Sequence, residues 1–129
     1  MPRLPSSVPT QVELAILRVL WERGSGTVRQ IHDVLKHDRG TGYSTTLKMV
    51  QVMTDKGLVC KDDSQRPQVY TPALRQEQTQ LQLVDDLIQK AFGGSAMKLV
   101  LRAASAKRIS ADELTEIRKL LEQTKGGKR

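Results

Sequence analysis

Cysteine is nearly absent: Cys60 is the only one in 129 residues, so no disulfide can close within the chain and a secreted, disulfide-stapled scaffold is excluded. Aromatics are almost as scarce, with Trp21, Tyr43, Tyr70 and Phe92 making up the whole set. Single-stranded nucleic acid is bound largely by stacking bases on such rings, so that mode has few platforms here. No window approaches the ~20 apolar residues that a bilayer span requires. The opening Met-Pro-Arg-Leu-Pro-Ser-Ser-Val-Pro also lacks the apolar stretch of a signal peptide. A cytoplasmic protein without membrane insertion is the expectation.

Catalytic and metal-binding patterns are missing too. There is no glycine-rich phosphate loop and no serine with a histidine partner in motif context. Asp62-Asp63 and Asp85-Asp86 are adjacent pairs, so their side chains point different ways and paired acid–base work is not set up. His32 and His37 lie roughly opposite each other on a helix, far in sequence from Cys60. The chain therefore reads as no enzyme, with no catalytic residues, no metal and no cofactor, and Cys60 reads as a small buried residue.

What remains is a basic chain: 21 Lys and Arg against 14 Asp and Glu, net +7. Duplex DNA, an acidic protein and an anionic membrane all suit that charge. Residues 1–9 hold three prolines and read as a flexible leader. A first helix opens with Thr10 as cap and Glu13 three residues on, carries Val12, Leu14, Ile16, Leu17, Val19 and Leu20, and ends at Gly24. Thr27 and Gln30 open a short second helix bearing Val28, Ile31, Val34 and Leu35. A third helix runs from Ser44 as cap to Lys56, stopped by Gly57. Two short strands follow, around Leu58–Lys61 and Gln68–Thr71, with a polar tip between them. Helical periodicity returns from Ala73 to Phe92, again after Ser95, and finally behind the capping box Ser110-Ala-Asp-Glu113. Residues 124–129 read as a basic tail.

Three helices and a hairpin, in that order, predict a winged helix-turn-helix, whose third helix enters the major groove while the hairpin touches the backbone. The fold class is thus mainly α with a small β-hairpin, a DNA-binding domain at 10–72 and a helical domain at 73–123. On the third helix Thr46, Val50 and Met53 turn inward, whereas Ser44, Thr45, Lys48, Met49 and Val52 turn outward. Short hydroxyls and the helix N-terminus suit close approach to DNA, and the Thr methyl and Met49 suit a thymine methyl. Ser44, Thr45, Lys48 and Met49 are the base-reading candidates; Tyr43 and Arg66, at the wing tip, are backbone candidates. Arg29, Arg39 and Lys61 are weaker candidates for the same role. Ser44 and Thr45 taken alone suit a simple helix cap better; the surrounding order of elements is what turns them into DNA candidates. The later helices carry apolar stripes, Leu81, Val84, Leu87 and Ile88, then Leu114, Ile117 and Leu121, too thin a layer to cover themselves. A homodimer is expected to cover them.

The run Tyr43-Ser-Thr-Thr-Leu-Lys-Met-Val-Gln-Val-Met-Thr-Asp-Lys-Gly-Leu-Val59, with Val69-Tyr-Thr-Pro72 after a charged tip, resembles the recognition helix and wing of the BlaI/MecI penicillinase-repressor family. Pro9 to Trp21, Phe92-Gly-Gly-Ser95 and Ile109 to Leu121 extend the resemblance to about residues 10 to 123. It implies a homodimeric repressor on a palindromic operator. It also implies release by cleavage in the dimerisation helices next to a Phe, set off by a membrane-embedded sensor metalloprotease; Ala91-Phe92 sits at the matching place. The chain departs from the family pattern at Thr46, often β-branched and apolar there, at Val52, often Arg, and before Phe92, where the best-known members carry Asn. A metal- or redox-responsive regulator and a dimeric protein-interaction module without DNA binding are the competing readings. The copper-responsive members carry paired cysteines near the C-terminus, which this tail lacks.

Overall fold

The computed structural model describes residues 8–127; the expected leader, apart from Val8 and Pro9, and the last two residues of the basic tail lie outside the described residues. Helices α1 (Gln11–Arg23), α2 (Val28–Arg39) and α3 (Tyr43–Lys56) lead into a hairpin of β1 (Val59–Asp62) and β2 (Val69–Pro72). Helices α4 (Gln76–Ala91), α5 (Ala96–Ser105) and α6 (Ala111–Gly127) complete the chain. This is a winged-helix order followed by a helical segment. The chain divides into two compact units, one ending at Val84 and the other beginning at Asp85.

Local capping sets the first helices. The Thr10 hydroxyl accepts from Glu13 N at 3.2 Å while Glu13 Oε1 accepts from Thr10 N at 2.9 Å. Thr27 and Gln30 repeat the exchange at α2. Each cap satisfies amides that have no partner inside the helix and contributes about 1 kcal/mol. Helix α3 departs from the sequence expectation: Gly42, not Ser44, is its cap residue, with no side-chain hydrogen bond. Gly40 ends α2, and after Thr41 the extended backbone of Gly42 already starts the next helix, so Ser44 falls inside the first turn.

Ile16, Leu17 and Leu20 of α1, Ile31 and Leu35 of α2, and Val50 and Met53 of α3 form one core with Leu58, Val59 and Tyr70. Thr46 is fully buried among them, and its hydroxyl donates to the Gly42 carbonyl at 3.2 Å. The polar atom that replaces an apolar side chain there is thus satisfied by the preceding turn.

In the hairpin Val59 pairs with Pro72, Cys60 with Thr71, Lys61 with Tyr70 and Asp62 with Val69. Side chains alternate, so Val59 and Tyr70 face the core and Cys60 and Thr71 face water. Cys60 is therefore exposed, not the buried residue expected. Tyr70 also exchanges both backbone hydrogen bonds with Gly26, at 2.8 and 3.0 Å, tying the turn between α1 and α2 to the wing.

The helix expected from Ala73 begins only at Gln76. Ala73 N donates to Leu58 O, and Leu74 O accepts from the Trp21 indole at 3.0 Å, so both peptides are held by the winged domain before the helix can start. Ser95 caps α5, and Ser110 with Glu113 forms a third capping box at α6. Helix α5 buries none of its residues. No helix among the described residues is long and apolar enough to cross a membrane.

Candidate nucleic-acid interface

Helix α3 has one sealed side and one open side. Thr46, Val50 and Met53 are closed off, while Ser44, Thr45, Lys48 and Val52 are exposed. Met49 is half-buried and packs against the core, so it belongs to the edge of that open side. Gln51, outside the set singled out from sequence, is exposed and shares a stripe with Ser44 and Lys48 by helical spacing. Reading the stripe at intervals of three and four would have found it; its amide suits adenine, as bidentate Asn and Gln contacts do. With no side chain capping Gly42, the first amides of α3 are free to donate outward.

Tyr43, the first residue of α3, is exposed and does not stand alone. The Arg29 guanidinium carbon sits 4.5 Å from the centre of its ring. The buried His32 ring meets it edge-on, with centroids 5.7 Å apart and planes at 79°. Neither contact is visible as a local sequence pattern, because α2 and α3 meet only in the fold.

The wing tip is tied into its own hydrogen bonds. Asp62 accepts from the Ser64 hydroxyl at 2.6 Å, the Ser64 N–H at 2.9 Å and the Gln65 amide at 3.1 Å, and these hold its carboxyl below the usual carboxylate range. Gln68 donates to Asp63 at 2.7 Å, and Lys61 lies 3.6 Å from the same carboxylate. Arg66 is exposed; its Nη1 donates to the Asp63 and Gln65 carbonyls at 2.8 and 3.2 Å. That holds the guanidinium at the tip, with other N–H donors still available.

The apolar positions of the later helices differ among themselves. Leu81 and Leu121 are 62% and 61% exposed, and Val84, Leu87, Leu114 and Ile117 are also open to water. Ile88 is only 8% exposed, covered within its own chain. Ala91 closes α4, and the half-buried Phe92 follows as the backbone turns through Gly93 and Gly94, both at positive φ. No group of three or more metal-ligating side chains gathers among the described residues.

The chain matches the family model described as penicillinase repressor over residues 9–123. It is 30% identical over 118 residues to the transcriptional regulator BlaI of Mycobacterium tuberculosis, with the same figures for strains CDC 1551 / Oshkosh and ATCC 25618 / H37Rv. The match covers 90% of this chain and 84% of those relatives.

Proposed function

Because the chain belongs to the penicillinase-repressor family, we propose that this transcriptional repressor acts in the cytoplasm as a homodimer seated on a palindromic operator. The observation that carries the DNA-reading part is α3, with one side buried from Thr46 to Met53 and the other exposing Ser44, Thr45, Lys48 and Gln51 beside an uncapped N-terminus. An N-terminus with free amides suits a phosphate, and the short hydroxyls and Lys48 beside it suit base edges. Met49 contributes from the edge, toward a thymine methyl. Tyr43 and Arg66 serve the backbone on either side of the groove. Residues 10–72 act as the DNA-binding domain and 73–123 as the dimerisation domain.

One recognition helix supplies too few base contacts for high specificity, so two copies would read half-sites related by symmetry. Leu81, Val84, Leu87, Leu114, Ile117 and Leu121 are open apolar residues that a second copy would cover, whereas Ile88, also expected at the interface, is already covered within its own chain. Release from DNA would follow cleavage between Ala91 and Phe92, which separates α5 and α6 from the DNA-reading half. A membrane-embedded sensor metalloprotease is the proposed trigger. A chain recovered from induced cells and ending at Ala91, seen by mass spectrometry, would support this; an intact chain under induction would rule it out.

The test of DNA reading is a salt titration. Log affinity falls with log salt by about 0.9 for each phosphate neutralised. Lys48→Ala with Arg66→Ala is expected to weaken duplex binding and flatten that slope while leaving the dimer folded. An unchanged slope would contradict both assignments, whereas a partner held by an apolar protein interface would give no steep salt dependence in the unmodified protein.

A further inference from the structure

Arg29, one of the weaker backbone candidates in the sequence, converges with Tyr43 and His32 where α2 meets the start of α3, and the repressor reading assigns a role only to Tyr43. Arg29 is exposed and makes no ion pair among the described residues, yet its guanidinium is placed 4.5 Å from the Tyr43 ring centre. Stacking on a ring limits the conformations of a long side chain and leaves the N–H donors around the guanidinium plane outward. His32 is 9% exposed, and its ring meets the Tyr43 ring edge-on with centroids 5.7 Å apart, which fixes the ring on which Arg29 rests.

We propose that Arg29 is a DNA-phosphate clamp, held in place by stacking on Tyr43, with His32 as the positioning residue that fixes the Tyr43 ring. The inference rests on the repressor reading above and adds a contact from α2. A guanidinium preset on a rigid ring meets a phosphate with little further ordering, and its planar fork suits two phosphate oxygens. Tyr43 is the first residue of α3, so the clamp would sit beside the free amides of that helix and set the depth at which the helix enters the groove. It carries no sequence information itself.

The experiment uses the full chain and a duplex selected by the unmodified protein from a random-sequence pool, with affinity measured across a salt series. Arg29→Gln is expected to weaken binding to all duplexes alike and to reduce the magnitude of the salt slope by about 0.9 for each protomer bound. His32→Leu is expected to reduce the slope in the same direction, to have no further effect once Arg29 is Gln, and to be rescued by His32→Phe, which keeps a ring edge. A merely structural histidine would lower thermal stability without moving the slope. Should His32→Leu fail to fold, Arg29→Gln together with Tyr43→Leu decides the matter: the stacked clamp requires the two effects to be less than additive, and strict additivity overturns the stack. An unchanged slope for Arg29→Gln, in a protein that does select a duplex, overturns the clamp and leaves the repressor reading standing. Selection of no duplex at all overturns both.

Discussion

Glu13 is a charged group almost closed to water, and the fold is arranged to keep it charged. Burial pushes its pKa up. The Lys56 ammonium, hydrogen-bonded at 2.6 Å and adding its charge, and the Thr10 backbone N–H together outweigh burial and leave the carboxyl below its ordinary value. A carboxyl held low in the folded state adds stability above its unfolded pKa and loses it as pH falls through the folded value. Lys56→Met would leave a buried charge without its cation. Breaking a fully buried pair costs more, but Lys56 is half-exposed and water is near, so the expected loss is about 1–3 kcal/mol at neutral pH. Urea unfolding across a pH series should show the gap between variant and unmodified protein closing toward acid; a gap constant with pH would contradict the account. The Thr10 half of this arrangement is legible in the sequence, because a cap and its partner three residues on are a local pattern. The Lys56 half is not, because the partner lies 43 positions away and only the packing of α1 against α3 brings it near. The Arg29–Tyr43 stack was hidden for the same reason.

At the scale of elements, α3 must end cleanly for the wing to start in register. Gly57 closes α3 at φ +83°, its N–H donating back to Met53 and Thr54. A left-handed residue with a side chain is strained, so Gly57→Ala is expected to cost about 1 kcal/mol in thermal or chemical unfolding. Its DNA salt slope should not move, because the residue lies at the far end of the helix; a changed slope would mean that the helix itself had been displaced. The wing is also tied back to the helices by the Gly26–Tyr70 pairing, where a Cβ on Gly26 would lie 3.2 Å from a Leu20 methyl. Gly26→Ala is therefore expected to destabilise by about 1 kcal/mol as Leu20 shifts to make room, and a stabilised variant would show that the contact is slack. Helix stops at Gly24 and Gly57 and the capping boxes were readable because glycine and cap chemistry act within a few residues. The start of α3 is not legible in the sequence, because Ser44 resembles a cap wherever it stands, while Gly42 leaves no side-chain signal. The late start of α4 was unreadable because Trp21 and Leu58 hold residues 73 and 74 from across the fold.

For the whole molecule, the +7 charge says little about where DNA binds. Ten basic and seven acidic side chains lie up to residue 72, eleven and seven beyond it, so the excess is spread over the chain. On the proposed reading such a charge draws DNA from a distance and a few groups on α3 discriminate, which calls for two copies. The later helices leave apolar side chains open: Met97, Leu101, Leu120 and Leu121 are 71%, 51%, 61% and 61% exposed in a single chain. Fully covering a leucine contributes about 1.5–3 kcal/mol, and in a two-fold interface each substitution acts twice. Leu114 and Leu121 are 42% and 61% exposed in the single chain, so Leu114→Glu with Leu121→Glu removes the equivalent of about two such burials across the interface, about 3–6 kcal/mol, a large part of the ~8 kcal/mol that holds a micromolar dimer. The variant is expected to sediment as a monomer at concentrations where the unmodified chain is dimeric, and to bind duplex more weakly through the loss of the second half-site. Mass action gives an independent check, since the Tm of a dimer rises with protein concentration and that of a monomer does not. A variant that still sediments as a dimer, or an unmodified chain whose Tm ignores concentration, would place the partner surface elsewhere.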